Sequence, residues 1–221
     1  MAAVAPARDA AWDCGAGSGQ ASLPLADRFA RIHATDASAT QLAAAPVHER
    51  ITWSVVPAES SGLEAHSVDA ITVAQALHWF DLDRFWVEVR RVARPQAVFV
   101  AWSYGLLKFD DAHLDRLLLE FHDDGIGSYW PIERGKVDAR YQGIDLPFAR
   151  IEPPPIRMDA SWTLDQLAGY LRTWSATRRY IVDRGTDPVT AFIEALRPRW
   201  GNAPRLVRWR LTILAGRIDA R

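Results

Sequence analysis

Residues 11–19 read AWDCGAGSG, three glycines within five positions directly behind a short apolar run. A glycine-rich turn between a strand and a helix leaves the main chain bare, so that backbone N–H groups and a helix N-terminus can face a ligand at close range. Two ligand classes use such a turn. Dinucleotide binders place their third glycine five positions after the first, whereas Gly15, Gly17 and Gly19 are followed by Gln20, and that fingerprint fails at its last position. Asp13 lies two positions ahead of Gly15, at the expected carboxyl end of a strand. A carboxylate there repels a pyrophosphate and attracts an ammonium or a sulfonium, so the expected ligand carries positive charge near the loop.

Outward from the glycines, strand-like and helical patterns alternate. GQASLPLADRFA (19–30) reads as a helix, RIHATD (31–36) as a second strand, SATQLAAA (38–45) as a short helix stopped by Pro46, and ITWSVV (51–56) as a third strand. VDAITVAQ (68–75) is β-branched and nearly all apolar, as a strand buried on both faces should be. DLDRFWVEVRRVA (81–93) follows with Phe85, Val89 and Val92 at helical spacing, then QAVFVAW (96–102) as a fifth strand. Such alternation predicts an α/β fold: a Rossmann-like, doubly wound, mostly parallel sheet with helices on both faces. Beyond Trp102 the pattern changes. Helices are expected over 110–123, 163–175 and 187–200, a proline-broken strand over 148–158, and a long β-rich strand over 205–216 that returns to the sheet. The chain thus reads as a single domain over 1–221, with a core over 9–104, a helical cover region over 105–204 placed between the last strands, and the late strand at 205–216. In open parallel sheets, ligands bind at the carboxyl ends of the strands.

The 221 residues are 49% hydrophobic and can bury one sizeable core. No run of about 18 to 20 apolar residues is present, and MAAVAPARDA has neither a basic nor an apolar leader region, so the expected compartment is cytoplasmic. Cys14 is the sole cysteine, which excludes an internal disulfide framework; no metal is expected. Net charge is −1, which argues against a nucleic-acid binder. The charge is uneven, −7 over residues 1–160 and +6 over 161–221, an asymmetry that can mark an anion-handling segment.

The motif set in this order resembles that of class I S-adenosylmethionine-dependent methyltransferases of the type 11 family. WDCGAGSGQAS (12–22) is similar to their first motif and IHATDAS (32–38) to the second; 55–81 and 85–102 resemble the later motifs. AQALHWFD (74–81) and YLRTWSATRRY (170–180) resemble the subgroup of trans-aconitate and farnesoate methyltransferases that act on small carboxylic acids. The resemblance implies a seven-stranded sheet and S-adenosyl-L-methionine as cofactor, released as S-adenosyl-L-homocysteine. It implies that Asp13 and the backbone of Gly15, Ala16 and Gly17 face the methionine portion, and that Asp36, beside Ala37, accepts hydrogen bonds from the ribose hydroxyls. Ala58 and Glu59 fall at the adenine edge, and Gln75 and Ala76 near the reactive methyl. His78 and Trp79 follow as candidate catalytic residues. Three of these positions also have a plainer reading: Asp36 as a helix N-cap, Glu59 as surface charge, His78 as a packed histidine.

If the acceptor is a carboxylate, it is ionised at neutral pH and needs no base, so positioning dominates catalysis. Arg172, Arg178 and Arg179 are candidate bidentate clamps for such an acid, with Trp130, Trp162 and Trp174 as apolar walls. The expected partner is a small-molecule acceptor, with no nucleic acid and no membrane, and the chain a monomer or homodimer. Two departures from the family stand out. RPQAV (94–98) lacks the usual glycines, so Gln96 and Ala97 must make that turn. Few residues precede the glycine loop, where the resemblance leads one to expect a helical segment over the cofactor. Two other readings stay open: an NAD(P)-binding oxidoreductase, and a non-catalytic S-adenosylmethionine-binding protein with a truncated lid.

Overall fold

The computed structural model describes residues 1–219. Two compact units emerge. The first contains residues 1–103, 140–155 and 212–219 and the second 104–139 and 156–211, so residues 140–155, inside the stretch read as cover, pack with the first unit.

The first unit is built on a seven-stranded sheet in which β1 (Ala10–Cys14) is the central one of five parallel strands. Around it stand β2 (Arg31–Asp36), β3 (Ile51–Val55), β4 (Val68–Ala74), β5 (Ala93–Tyr104), β7 (Ala149–Arg150) and β10 (Leu211–Arg217), in the order β3-β2-β1-β4-β5-β10-β7. The first five run parallel, and β7 pairs antiparallel with β10. All five residues of β1 are buried and β4 is nearly so, as strands covered on both faces must be. The chain winds outward from β1 to β2 and β3, then returns to β4 on the other side of β1. That reversal opens a crevice at the carboxyl ends of β1 and β4.

Helices α1 (Ser22–Ala26), α2 (Ala39–Ala43) and α3 (Leu82–Val92) belong to this unit. α1 is much shorter than the helix expected over 19–30: Ala21 offers no side-chain cap and Pro24 lies inside the run. α3 is amphipathic as expected, capped by the Asp81 side chain and burying Phe85, Val89 and Val92. The turn ahead of the apolar part of β5 is made by Gln96 in a left-handed conformation, φ +66°, where the pairing with β4 also shifts register between Val68 and Ala70. A glutamine thus holds the strained position on its own.

The second unit differs from the helical cover expected. Besides α4 (Ala112–Glu120), α5 (Arg134–Asp138), α6 (Leu164–Thr173), α7 (Ser175–Arg184) and α8 (Pro188–Trp200), it holds an antiparallel sheet ordered β6-β9-β8, from β6 (Lys108–Phe109), β8 (Met158–Trp162) and β9 (Arg205–Trp209). The late strand expected over 205–216 is therefore two strands. β9 stays in this small sheet because Val207 and Trp209 bury against its core, and only β10 joins the large one. α7 has no counterpart among the expected helices; it buries little beyond Ala176 and Thr177, so its apolar periodicity is weak. The unit's core is aromatic, with Phe121 stacked on Phe192 and Trp209 edge-on to Tyr170 and Trp162. Among the described residues no helix is long and apolar enough to cross a membrane.

Candidate functional site

A cavity of about 360 Å³ opens in the first unit at the ends of its strands, within the size range of small-molecule sites. Gly15, just past β1, lies on its wall. Gly15 has φ +69°, and a side chain there would collide with the Ala76 Cβ and press on the Phe80 ring, 3.3 Å away. What approaches the glycine closely is thus the loop after β4, not a ligand alone. Gly19 answers a different contact: a Cβ there would meet the Trp53 ring at 2.5 Å.

The loop's amides are already committed. Gly15 and Ala16 both donate to the Thr35 carbonyl, at 2.8 and 3.0 Å, and Gly17 donates to Asp36 Oδ2 at 2.8 Å. The expected cradle of free N–H groups does not form, and neither Ala16 nor Gly17 lines the cavity. Asp13 departs from expectation in the same way. It is fully buried below the loop, its Oδ2 accepting from Ser22 Oγ at 2.5 Å and its Oδ1 from Thr72 Oγ1 at 3.0 Å. Burial pushes its carboxyl up to about 6, against the opposing pull of those two hydroxyls, and the Asp36 charge adds to the rise. It joins β1, α1 and β4 and does not reach the cavity.

Asp36 does reach it. At the end of β2, its Oδ1 accepts from the Ser38 amide at 2.8 Å while Oδ2 holds Gly17, so the carboxylate is oriented by two backbone donors and keeps lone pairs for further ones. The N-cap of α2 is Ser38, whose hydroxyl accepts from Gln41, so the capping role weighed for Asp36 belongs to its neighbour. Ala37 lines the cavity beside it. On the far side Val56, Pro57 and Ala58 form an apolar strip that ends in Glu59, whose Oε1 accepts from the Asp81 amide at 2.9 Å and ties this loop to the start of α3.

After β4, Gln75 takes a left-handed conformation, φ +54°, and donates its amide to Trp102, turning the chain sharply so that Ala76 faces the cavity while Gln75 does not. Trp79, half exposed, and Phe80 complete the wall. His78 faces the other way. It is buried, its ring 5.0 Å from that of Trp79 and its Nδ1 3.4 Å from the Tyr141 hydroxyl, and it does not line the cavity. Tyr141 is itself left-handed and enclosed, and burial pushes its hydroxyl up to about 12. The packed reading of His78 fits this placement better than that of a base.

Of the residues singled out from sequence, Gly15, Asp36, Ala37, Ala58, Glu59, Ala76 and Trp79 meet around one cavity. Thr35, Ser38, Val56, Pro57 and Phe80 line it too and were missed. Each lies within two residues of one that was chosen, and the short reach of strand-end loops was the available signal. The candidate acceptor residues lie in the second unit. Trp174 is buried in its aromatic core beside Trp130 and Tyr170. Arg172 is held by Asp187 at 2.7 Å, Arg179 donates to the Tyr129 carbonyl at 3.5 Å, and Arg178 is exposed.

Residues 12–101 match a family model described as a methyltransferase domain. A Dictyostelium discoideum protein named "Putative methyltransferase" is 34% identical over 191 residues, covering 86% of this chain and 73% of that protein. A solved structure of a "Putative Type II Methyltransferase" from Anaeromyxobacter dehalogenans is 45% identical, covers 100% of this chain and 94% of its own, and superposes with a TM-score of 0.88. A phosphoethanolamine methyltransferase of Haemonchus contortus, solved with S-adenosylhomocysteine, is similar at the level of fold, with a TM-score of 0.50 and 14% identity over 99% of this chain and 51% of that one.

Proposed function

The chain belongs to the methyltransferase-domain family, and from that premise we propose that it transfers the methyl group of S-adenosylmethionine to a small-molecule acceptor, with a carboxylate oxygen as the methylated atom. The observation that carries the cofactor reading is Asp36: a carboxylate fixed by two main-chain donors on the wall of a cavity at the ends of the strands.

The residues around the cavity fit this cofactor. Asp36 would accept from the ribose hydroxyls with the lone pairs left after Gly17 and Ser38. The Val56–Pro57–Ala58 strip offers an apolar slot for a purine, and the Trp79 and Phe80 rings close it. A cationic group gains from the Asp36 and Glu59 charges, the two titratable groups on the wall, whereas a dinucleotide pyrophosphate would be repelled by them and finds no free amides at Gly15 to Gly17. When bound, the cofactor supplies a methyl group on a sulfonium sulfur, which is already an excellent leaving group. The chain's own contribution is then to hold that group, orient the acceptor and exclude water, an effect worth about 7–11 kcal/mol where alignment is good.

The carboxylate half rests on the resemblance of residues 170–180 to the small-carboxylate subgroup. Such an acceptor arrives ionised at neutral pH and needs no base, unlike an alcohol or ammonium that must lose a proton first. Titration calorimetry with S-adenosylmethionine and S-adenosylhomocysteine tests the cofactor half: saturable heat is expected, and none at millimolar ligand would refute it. Incubation with methyl-labelled cofactor and a panel of carboxylic acids, alcohols and amines tests the acceptor half. Label in base-labile methyl esters is expected; label confined to amines or alcohols would refute the carboxylate, and binding without turnover on any acceptor would favour the non-catalytic binder.

A further inference from the structure

The second unit holds a cavity of its own, about 510 Å³, on its antiparallel sheet. Four cationic side chains, Lys108, Arg157, Arg208 and Arg210, stand around it with one carboxylate, Asp159; Ile156 and Leu211 supply its apolar surface, while Trp209, between Arg208 and Arg210, turns its ring into the core. The cations come from three separate strands or strand ends. Register explains their meeting: Lys108 of β6 pairs with Arg208 of β9, and Asp159 of β8 pairs with Arg208 from the other side. Extended one residue past the Met158–Trp209 pair, the β8–β9 register sets Arg157 against Arg210.

Two like-charged cross-strand neighbours are unfavourable on a sheet unless an anion lies between them. The protein supplies little relief. Lys108 reaches Asp115 at 3.6 Å, but among the described residues Arg157, Arg208 and Arg210 have no ion-pair partner, and Asp159, although paired in register with Arg208, forms no salt bridge with it. By contrast, Arg91, Arg94, Arg172, Arg197 and Arg199 each grip a carboxylate at 3.0 Å or less. The three arginines of the trough therefore keep their forks open, a geometry matched to carboxylate or phosphate oxygens.

From this convergence we infer that the trough is a binding site for a small organic anion, a carboxylate or phosphate monoester on an apolar body. The charged end meets Arg157, Arg208 and Arg210, and the apolar body lies on Ile156 and Leu211. The cavity falls within the range of small-ligand sites. This inference is separate from the methyl-transfer reading and stands or falls without it.

Titration calorimetry of the full chain with phenyl phosphate, benzoate and uncharged benzyl alcohol tests it. At least one anion should bind and the alcohol should not; which anion binds more tightly separates phosphate from carboxylate. The R157Q/R208Q/R210Q variant should bind about tenfold more weakly or not at all, and R208Q alone should show part of that loss. Because those substitutions relieve like-charge opposition, their melting temperature should equal or exceed the parent's, a change opposite to that of a structural arginine. The inference is overturned by no heat from either anion up to about 10 mM, by alcohol binding equal to theirs, or by undiminished anion binding in both variants. Heat only from a polyanion such as heparin overturns it as well, since that marks a charged surface and not a site for a small molecule.

Discussion

Replacing Gly15 by alanine separates two reasons for a glycine at that position. The first is backbone conformation: φ is +69°, and an L-residue in the left-handed region costs about 1–2 kcal/mol. The second is approach. The new Cβ would overlap the Ala76 Cβ far inside the 3.5–4.0 Å at which carbons rest, and the Phe80 ring at 3.3 Å blocks one way out. Forcing a methyl into such a contact costs about 1–3 kcal/mol, so Gly15→Ala should lose about 2–5 kcal/mol in all. Gly17 is the control. It has φ +57° with nothing within 4 Å of its Cβ position, so Gly17→Ala should lose the conformational part alone, about 1–2 kcal/mol. The overlap can then be removed from the other side. In the Gly15→Ala background, Ala76→Gly should restore about 1–3 kcal/mol, giving a coupling of that size in a double-mutant cycle measured by urea unfolding. Coupling near zero, or a Gly15 variant no less stable than the Gly17 variant, would refute the claim that the close passage of the β4 loop demands this glycine.

Three further outcomes follow from the same geometry. Asp36→Ala removes the acceptor for both Gly17 and Ser38, and should lower stability by about 1–3 kcal/mol while weakening S-adenosylhomocysteine at least about tenfold in calorimetry; Asp36→Asn keeps one acceptor and should retain more of the stability than of the affinity. Asp13 has its carboxyl raised to about 6 in the folded chain against 3.8 as a reference, so the folded state binds the extra proton in that interval. Its contribution is fully present below the lower value and is lost as pH rises through the upper one; the stability of the parent relative to Asp13→Asn should fall by about 2 kcal/mol between about pH 4 and 7, and a flat difference would remove the buried acid from the account. Gln96→Gly should raise stability by about 0.5–1 kcal/mol, because φ +66° is free of strain for glycine and the position is exposed, with its backbone bonds to Ile218 and Arg217 retained; a loss in urea unfolding would show that the glutamine is held there by something other than the turn.

Local patterning made much of this molecule legible. β4 is a nearly all-apolar run because both its faces are covered, and α3 shows its buried face in the spacing of Phe85, Val89 and Val92. Gly15 was found in a glycine turn behind a strand and Asp36 at a strand's carboxyl end, where the topology of a parallel sheet collects ligands, whereas Ala58 and Ala76 were found through the family resemblance. These features depend on neighbours within a few residues, and periodicity records them.

Tertiary structure decided what depends on segments far apart in the chain. Asp13 looked poised for a cation, yet Ser22 and Thr72 take both its oxygens. His78 turned to Tyr141, and the glycine-loop amides turned to Thr35 and Asp36. The stretch 205–216 is β-rich throughout, but its division into β9 and β10 follows from which core each half can bury, and the cationic trough exists only because three strands align at one register. The reason is common to all of these. A residue's burial preference is written in its own side chain and spacing, whereas the partner that satisfies a buried polar group or faces a charge is chosen by the packing of remote elements, to which no local pattern refers.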